Sequence, residues 1–194
     1  MENFWFYLKM GLEHVLDLAA YDHILFLTIL TVPFTFKSWK KVVLLATIFT
    51  ITHCISLALS AYKVIEVEVG IIEFLIPVTI LLTALFNLRY FKAKEEHKNL
   101  IGHGIATAFF GLIHGFGFSN YFKMLMADEE DIITPLLGFA TGIELSQLII
   151  VLSILVVAFF VQAILQLKQT LFVLGMSILV VLITLPMLLE TYPF

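Results

Sequence analysis

A histidine inside a glycine-rich apolar stretch is the first residue that could carry chemistry. His114 lies between Gly111 and Gly115, in an apolar run over residues 101–122. An ionisable side chain at bilayer depth is costly and marks a functional site by default, although a lone histidine can also be neutral and hydrogen-bonded between helices. Glycine allows a backbone or a ligand to approach closely, so its neighbours make His114 a candidate ligand.

Other ionisable residues recur at similar depth in the remaining apolar runs. We predict the metal ligands to be His14, Asp22, His23, His53, His114 and Glu144. The predicted pathway residues are Glu73, Asn87, His103, Thr141 and Gln147. Polar residues that only pack helices are usually Ser, Thr, Asn or Gln, and buried carboxylates must be protonated or compensated. Imidazole and carboxylate ligands without thiolate suit Zn, Ni, Co, Mn or Fe(II), and a proton relay is the competing interpretation.

The spacing of these residues constrains the helices that carry them. His14 and Asp22 are about 80° apart on a continuous helix, whereas His14 and His23 are about 180° apart. Either the helix breaks near residues 18–21 or the two histidines serve different places. His103 and His114 share a face, about 20° apart, but differ by about 16 Å in height. They cannot bind the same ion.

The composition indicates an integral membrane protein. The 194 residues are 61% hydrophobic and only 13% charged, and apolar runs of about 20 residues recur, each long enough to span a bilayer. We predict an all-α polytopic helix bundle, a single transmembrane domain over residues 1–194. An aromatic interfacial segment over residues 2–10 precedes six spans at about 11–34, 42–62, 69–88, 99–122, 133–165 and 170–189. The single cysteine, Cys54, excludes an internal disulfide and a cysteine-based metal cluster. The nineteen phenylalanines are expected to face lipid or fill the core.

The basic residues predict the orientation. Eight of the eleven Lys and Arg residues fall on one side of the predicted bundle: Lys37, Lys40, Lys41, Arg89, Lys92, Lys94, Lys98 and Lys168. Basic residues are enriched in cytoplasmic loops. Both termini are therefore predicted to lie outside, which in a bacterium is the periplasm.

Five stretches resemble the HupE/UreJ family of small bacterial membrane proteins. They are Gly11 to His14, Tyr21 to Leu27, Thr52 to Leu59, Phe110 to Phe118, and Gly138 to Leu148, with Glu73 and Asn87 in the matching order. The sequence departs from the family pattern at Thr141, where asparagine is usual, at Cys54, where serine is usual, and at Ala19 or Ala20, where glycine is usual. The resemblance implies a multi-pass protein of the bacterial inner membrane that takes up Ni²⁺, Co²⁺ or a similar divalent cation.

Two other functions stay open beside a permease. In a permease, His14 and Glu73 would receive the ion, the central residues would bind it, and His103 with Asn87 would lie at the exit. A membrane-embedded metal-dependent hydrolase could use the same His, Asp and Glu cluster, with Zn²⁺ activating water. A metal sensor or chaperone partner is the third interpretation. The expected partners are lipid, the metal ion and a second copy of the chain or metalloenzyme maturation proteins, without nucleic acid.

Overall fold

The computed structural model describes residues 2–91, 100–126 and 131–193, with side chains from residue 4 onward. Lys92, Lys94 and Lys98 of the predicted inner loop lie outside these residues. Every regular secondary-structure element in the described residues is a helix, which confirms the predicted polytopic helix bundle. Its helices are α1 (Glu2–Leu16), α2 (Asp22–Thr31), α3 (Trp39–Ala61), α4 (Val69–Tyr90), α5 (Leu100–Leu125), α6 (Ile133–Ile164) and α7 (Gln169–Glu190).

Five of these helices are long and apolar enough to cross a membrane. They are α4 to α7 and the segment Phe36–Ala61, which joins a short 3-10 turn to α3. Their bounds lie within three residues of the predicted spans, except that α3 with its turn begins six residues earlier. The predicted first span is different, because α1 ends at Leu16 and α2 begins at Asp22. The spacing argument had offered a break near residues 18–21, and the break is present.

The segment predicted to lie at the interface forms the first part of α1, which packs along α6. A Cβ on Gly138 would lie 3.2 Å from the Cβ of Tyr7, and a Cβ on Gly142 would lie 2.8 Å from the backbone nitrogen of Leu12. Gly138 and Gly142 are four residues apart, the spacing at which small residues let helix backbones approach closely in membranes. This face of α6 therefore accommodates the backbone of α1, and the two helices run in the same direction.

Glycines also let α3 and α5 pack closely. Gly111 and Gly115 of α5 lie against the backbone of α3, at Phe49 and His53 respectively. The two helices run in the same direction, as alternating spans require for the second and fourth crossings. Because Gly115, the neighbour of His114, lies against the His53 carbonyl, His53 and His114 are at the same level of the bundle.

The short helix α2 is fixed at its far end by amide side chains. Asn87 Nδ2 of α4 donates a hydrogen bond to the carbonyl oxygen of Ile29, at 2.7 Å. Gln169 Nε2 of α7 donates to the carbonyl oxygens of Val32 at 2.9 Å and Phe34 at 3.3 Å. The Ile29 carbonyl lies in the last turn of α2, where carbonyl oxygens have no partner within the helix. We call this end of the bundle, where α2, α4 and α6 all finish, the inner side.

Candidate metal centre

The break between α1 and α2 creates the framework of the candidate centre. Residues 17–21 are exposed and form no helix, with a turn at Tyr21. Within this segment, Asp17 Oδ1 accepts a hydrogen bond from the Ala19 N–H at 2.8 Å. Asp22 then starts α2, where a carboxylate suits the positive end of the helix dipole. Its Oδ1 accepts the His23 N–H at 2.8 Å and lies 3.0 Å from His23 Nδ1. The first turn of α2 is thus locked with His23 pointing into the bundle.

Four histidine rings from four helices meet at this point. The ring centroids of His14 and His23 are 4.6 Å apart, and those of His23 and His114 are 5.0 Å apart. His53 lies 5.8 Å from His14 and 6.0 Å from His23. Asp22 Oδ2 is 3.7 Å from His114 Nε2. Five of the six residues predicted as metal ligands are therefore neighbours, contributed by α1, α2, α3 and α5.

The histidine nitrogens are buried, and most of them lack a hydrogen-bond partner. The buried nitrogens without one are His14 Nε2, His23 Nε2, both nitrogens of His53, and His114 Nε2. A buried polar atom left without a partner costs free energy. His114 Nδ1 lies 3.3 Å from the Phe110 carbonyl oxygen, which can only accept, so this nitrogen carries the proton in that hydrogen bond. Nε2 of His114 is then left with a lone pair directed into the cluster.

The same tautomer argument applies to His23. Its Nδ1 lies beside the Asp22 carboxylate, which accepts the proton and leaves the Nε2 lone pair available. Metal-binding histidines commonly donate their second ring nitrogen to a carboxylate or a backbone carbonyl in this way, which fixes the ring and raises its basicity. His23 and His114 therefore both have the supporting contacts of a metal ligand.

The ligand atoms do not converge on a point in this conformation. Among the residues that the structure describes, no three His, Cys, Asp or Glu side chains are arranged to hold one metal ion. Imidazole nitrogens bind Zn²⁺ at about 2.0–2.1 Å in tetrahedral sites, which corresponds to ring centroids about 5 Å apart. The spacing of His23 from His14 and from His114 thus suits a shared ion, although the ligand atoms do not converge in this conformation.

Two layers of phenylalanine enclose the cluster. On the inner side, the rings of Phe26 and Phe110 stack with centroids 3.8 Å apart, and Phe49 lies 5.2 Å from Phe26. On the outer side, Phe118 and Phe139 stack at 5.1 Å, and Phe118 lies 4.1 Å from the His14 ring. The expectation that phenylalanines only fill the core or face lipid missed these layers. The signal was their spacing, since Phe110 and Phe118 each lie one turn of α5 from His114.

An open cleft lies beside the outer end of the cluster. His14 lines it together with Glu13, Asp17, Phe118 and Tyr121, and its volume is about 650 Å³. Glu13 and Asp17 are exposed, and Glu13 is 3.6 Å from Lys9 in an ion pair. His14 therefore belongs both to the cluster and to the lining of the cleft.

Glu144 lies apart from the histidines. Its Oε1 accepts a hydrogen bond from Thr47 at 2.6 Å, and its Oε2 accepts one from Thr50 at 2.5 Å. Neither oxygen is within ion-pair distance of a described histidine. Thr50 is one turn before His53 on α3, so Glu144 is a neighbour of the cluster along α3. The predicted metal role of Glu144 stays a prediction.

The predicted pathway residues occupy different environments. Gln147 is fully buried and neither of its amide atoms has a hydrogen-bond partner, whereas Thr141 is exposed and donates to the Leu137 carbonyl. Glu73 is exposed on α4, and Asn87 makes the contact to Ile29 described above. His103 is half-buried on the inner side, where its ring lies 5.6 Å from Phe86 and 5.7 Å from Phe34.

The fold and the cluster define a polytopic helical membrane protein with a buried histidine and aspartate centre. The chain belongs to the HupE/UreJ family, because the family model described as "HupE / UreJ protein" matches residues 1–190, nearly the whole chain. No curated protein matches the chain, and neither does any solved structure. The family is associated with nickel and cobalt transport or with urease accessory function.

Proposed function

We propose that this protein is a permease for a divalent transition-metal cation, with Ni²⁺ or Co²⁺ as its cargo, and that the ion passes through the histidine centre. The observation that carries the proposal is the set of five buried ring nitrogens without partners on His14, His23, His53 and His114. A purely structural cluster would satisfy its polar atoms. A divalent cation satisfies several of them at once and offsets the charge of Asp22.

The donor set favours a borderline transition metal. Imidazole suits Zn, Cu, Fe and Ni, whereas oxygen-only sets suit Mg and Ca. The centre offers four imidazoles and one carboxylate. Cys54 is not one of its residues. Because the rings have suitable spacing but do not converge, we infer that binding requires small side-chain rotations. A site that is not fully pre-organised binds less tightly, and a permease has to release its ion.

The position of the surrounding cavities supports a route across the bundle. The ion would enter at the outer cleft beside Glu13 and Asp17, since these two carboxylates outnumber the one nearby cation, Lys9, and raise the local cation concentration. His14 borders both this cleft and the cluster. Beyond the inner phenylalanine layer, His103 lines a cavity of about 360 Å³, which would be the exit.

A membrane-embedded metal-dependent hydrolase is the second candidate. The observation that favours it is the asymmetry of access, because His14 of the cluster lines the open outer cleft, whereas no histidine of the cluster lines the inner cavity. Such an enzyme needs water from one side only. It gives no role to His103, which lies on the far side of the inner phenylalanine layer.

Equilibrium binding of Ni²⁺ and Co²⁺ to the purified protein tests the proposed centre. We expect saturable binding by the wild type and at least a tenfold weaker affinity for His53→Gln, which removes two unpartnered nitrogens. His103→Gln is the matched control and should bind like the wild type, provided that both variants elute as the wild type does in size-exclusion chromatography. Equal affinity of His53→Gln and the wild type, or no binding by either, would overturn the assignment of the centre.

A further inference from the structure

The inner phenylalanine layer lies between the histidine centre and the inner cavity on the proposed route. On α2, His23, Phe26 and Leu30 follow one another at intervals of about one turn. On α5, the corresponding series is His114, Phe110 and Thr107. His23 and His114 belong to the centre, whereas Leu30 and Thr107 line the inner cavity with His103. On each helix, a single turn separates the centre from the cavity. Phe26 occupies that turn on α2, and Phe110 occupies it on α5.

The contact between these two rings is the closest aromatic contact in the described residues. The centroids of Phe26 and Phe110 are 3.8 Å apart with their planes within 12°. Both rings are almost fully buried. Phe49 is buried as well, and its ring centroid lies 5.2 Å from that of Phe26. A layer of three rings offers no hydrogen-bond partner, so neither water nor a hydrated cation crosses it without displacing a ring.

The layer also contacts the ligands directly. The Phe110 ring stacks on His114 with centroids 4.6 Å apart, and Phe49 lies 5.5 Å from both His53 and His114. A rotation of His114 that brings its Nε2 onto an ion therefore changes the packing of Phe110. This contact connects the state of the centre with the state of the layer.

We propose that Phe26 and Phe110, supported by Phe49, form the inner gate of the protein, which keeps an ion at the centre until the two rings separate. The gate opens into the cavity lined by Phe26 and His103. The transported ion is a divalent transition-metal cation, and in this respect the inference rests on the proposed function. The gate itself is a property of the packing and can be tested without metal.

The metal-independent test uses a thiol placed at the centre. In a Cys54→Ser background, His14→Cys, which lines the outer cleft, should react with a small charged methanethiosulfonate reagent added from the outer side. From the inner side, the thiol should react at least tenfold faster when Phe26→Ala is also present than when Phe26 is intact. Phe86→Ala is the matched control, because Phe86 lines the same inner cavity but is not part of the layer, and it should leave the inner-side rate unchanged. Fast inner-side labelling with Phe26 intact, or equal acceleration by Phe86→Ala, would overturn the gate.

The metal-dependent test measures how fast an impermeant chelator enclosed in proteoliposomes removes Ni²⁺ bound at the centre. Phe26→Ala should bind Ni²⁺ within about threefold of the wild-type affinity and lose it to the enclosed chelator at least tenfold faster. Phe26→Leu keeps most of the volume, protects against a failure of the alanine variant to fold, and should give an intermediate rate. Rates equal to wild type in both variants would contradict the gate, whereas absence of bound Ni²⁺ in the wild type would contradict the proposed function and leave the thiol result to decide the gate.

Discussion

His14 and His23 have ring centroids 4.6 Å apart although they belong to different helices. On one continuous helix they would be on opposite faces and about 13 Å apart in height. The break over residues 17–21 removes this conflict, because it turns α2 relative to α1 and brings His23 to the level of His14. The candidate centre thus depends on a discontinuous span, a recurrent feature of ion sites in transporters.

Asp22 provides the first prediction, since it fixes the His23 ring and its second oxygen lies 3.7 Å from His114 Nε2. Asp22→Asn should weaken Ni²⁺ affinity by about 10–100-fold, the usual effect of removing a carboxylate that orients histidine ligands. Asp131→Asn is the control, because it neutralises an exposed carboxylate that contacts the start of α6, away from the cluster. Isothermal titration of both variants checks this. Unchanged affinity of Asp22→Asn would show that the carboxylate has no part in binding.

The glycine contact between α3 and α5 gives a prediction about stability. A Cβ on Gly115 would overlap the His53 carbonyl oxygen and the Ser56 hydroxyl, so Gly115→Ala should destabilise the protein by about 1–3 kcal/mol. Gly104→Ala on the same helix is the matched control, since its Cβ would meet only Ile48 Cδ1 at 3.6 Å. Thermal unfolding in detergent compares the two. Equal melting temperatures for both variants would mean that α3 and α5 pack less closely than described.

Much of the fold could be predicted because hydrophobic length and turn geometry are local properties. The ends of α4 and α6 follow directly from the apolar runs, and the conflict between His14 and His23 offered the break as one of two alternatives. The angular position of each residue around its helix and its depth in the predicted span also placed His53 and His114 in one centre. These quantities do not say which helices are neighbours. The contact of Glu144 with Thr47 and Thr50, and the stacking of Phe26 on Phe110, depend on that choice and were not predicted.

The orientation of the bundle is a prediction that cysteine labelling can check. In a Cys54→Ser background, Glu66→Cys in the exposed loop between α3 and α4 should react with an impermeant reagent added to intact spheroplasts. Lys37→Cys, between α2 and α3, should react only after the membrane is permeabilised, because basic residues concentrate on its side. The reverse pattern would invert the proposed direction of transport.

Metal binding should also stabilise the folded state. Free Ni²⁺ at 100 times its dissociation constant adds about 2.7 kcal/mol by mass action, so a strong chelator should lower the melting temperature measurably. The stabilisation should shrink as the pH falls to about 5, since imidazole must be deprotonated to bind. Differential scanning fluorimetry with and without chelator measures both effects. A melting temperature indifferent to chelator, in protein free of metal, would favour a proton relay.

Uptake of radiolabelled Ni²⁺ into proteoliposomes tests the permease most directly. The wild type should accumulate the ion well above protein-free liposomes, and His114→Ala should abolish both binding and uptake. His103→Ala should keep central binding and reduce the inward flux, because it removes a stepping point in the inner cavity rather than a ligand of the centre. Absence of wild-type flux despite metal bound at the centre, or full uptake by His114→Ala, would contradict transport through this centre.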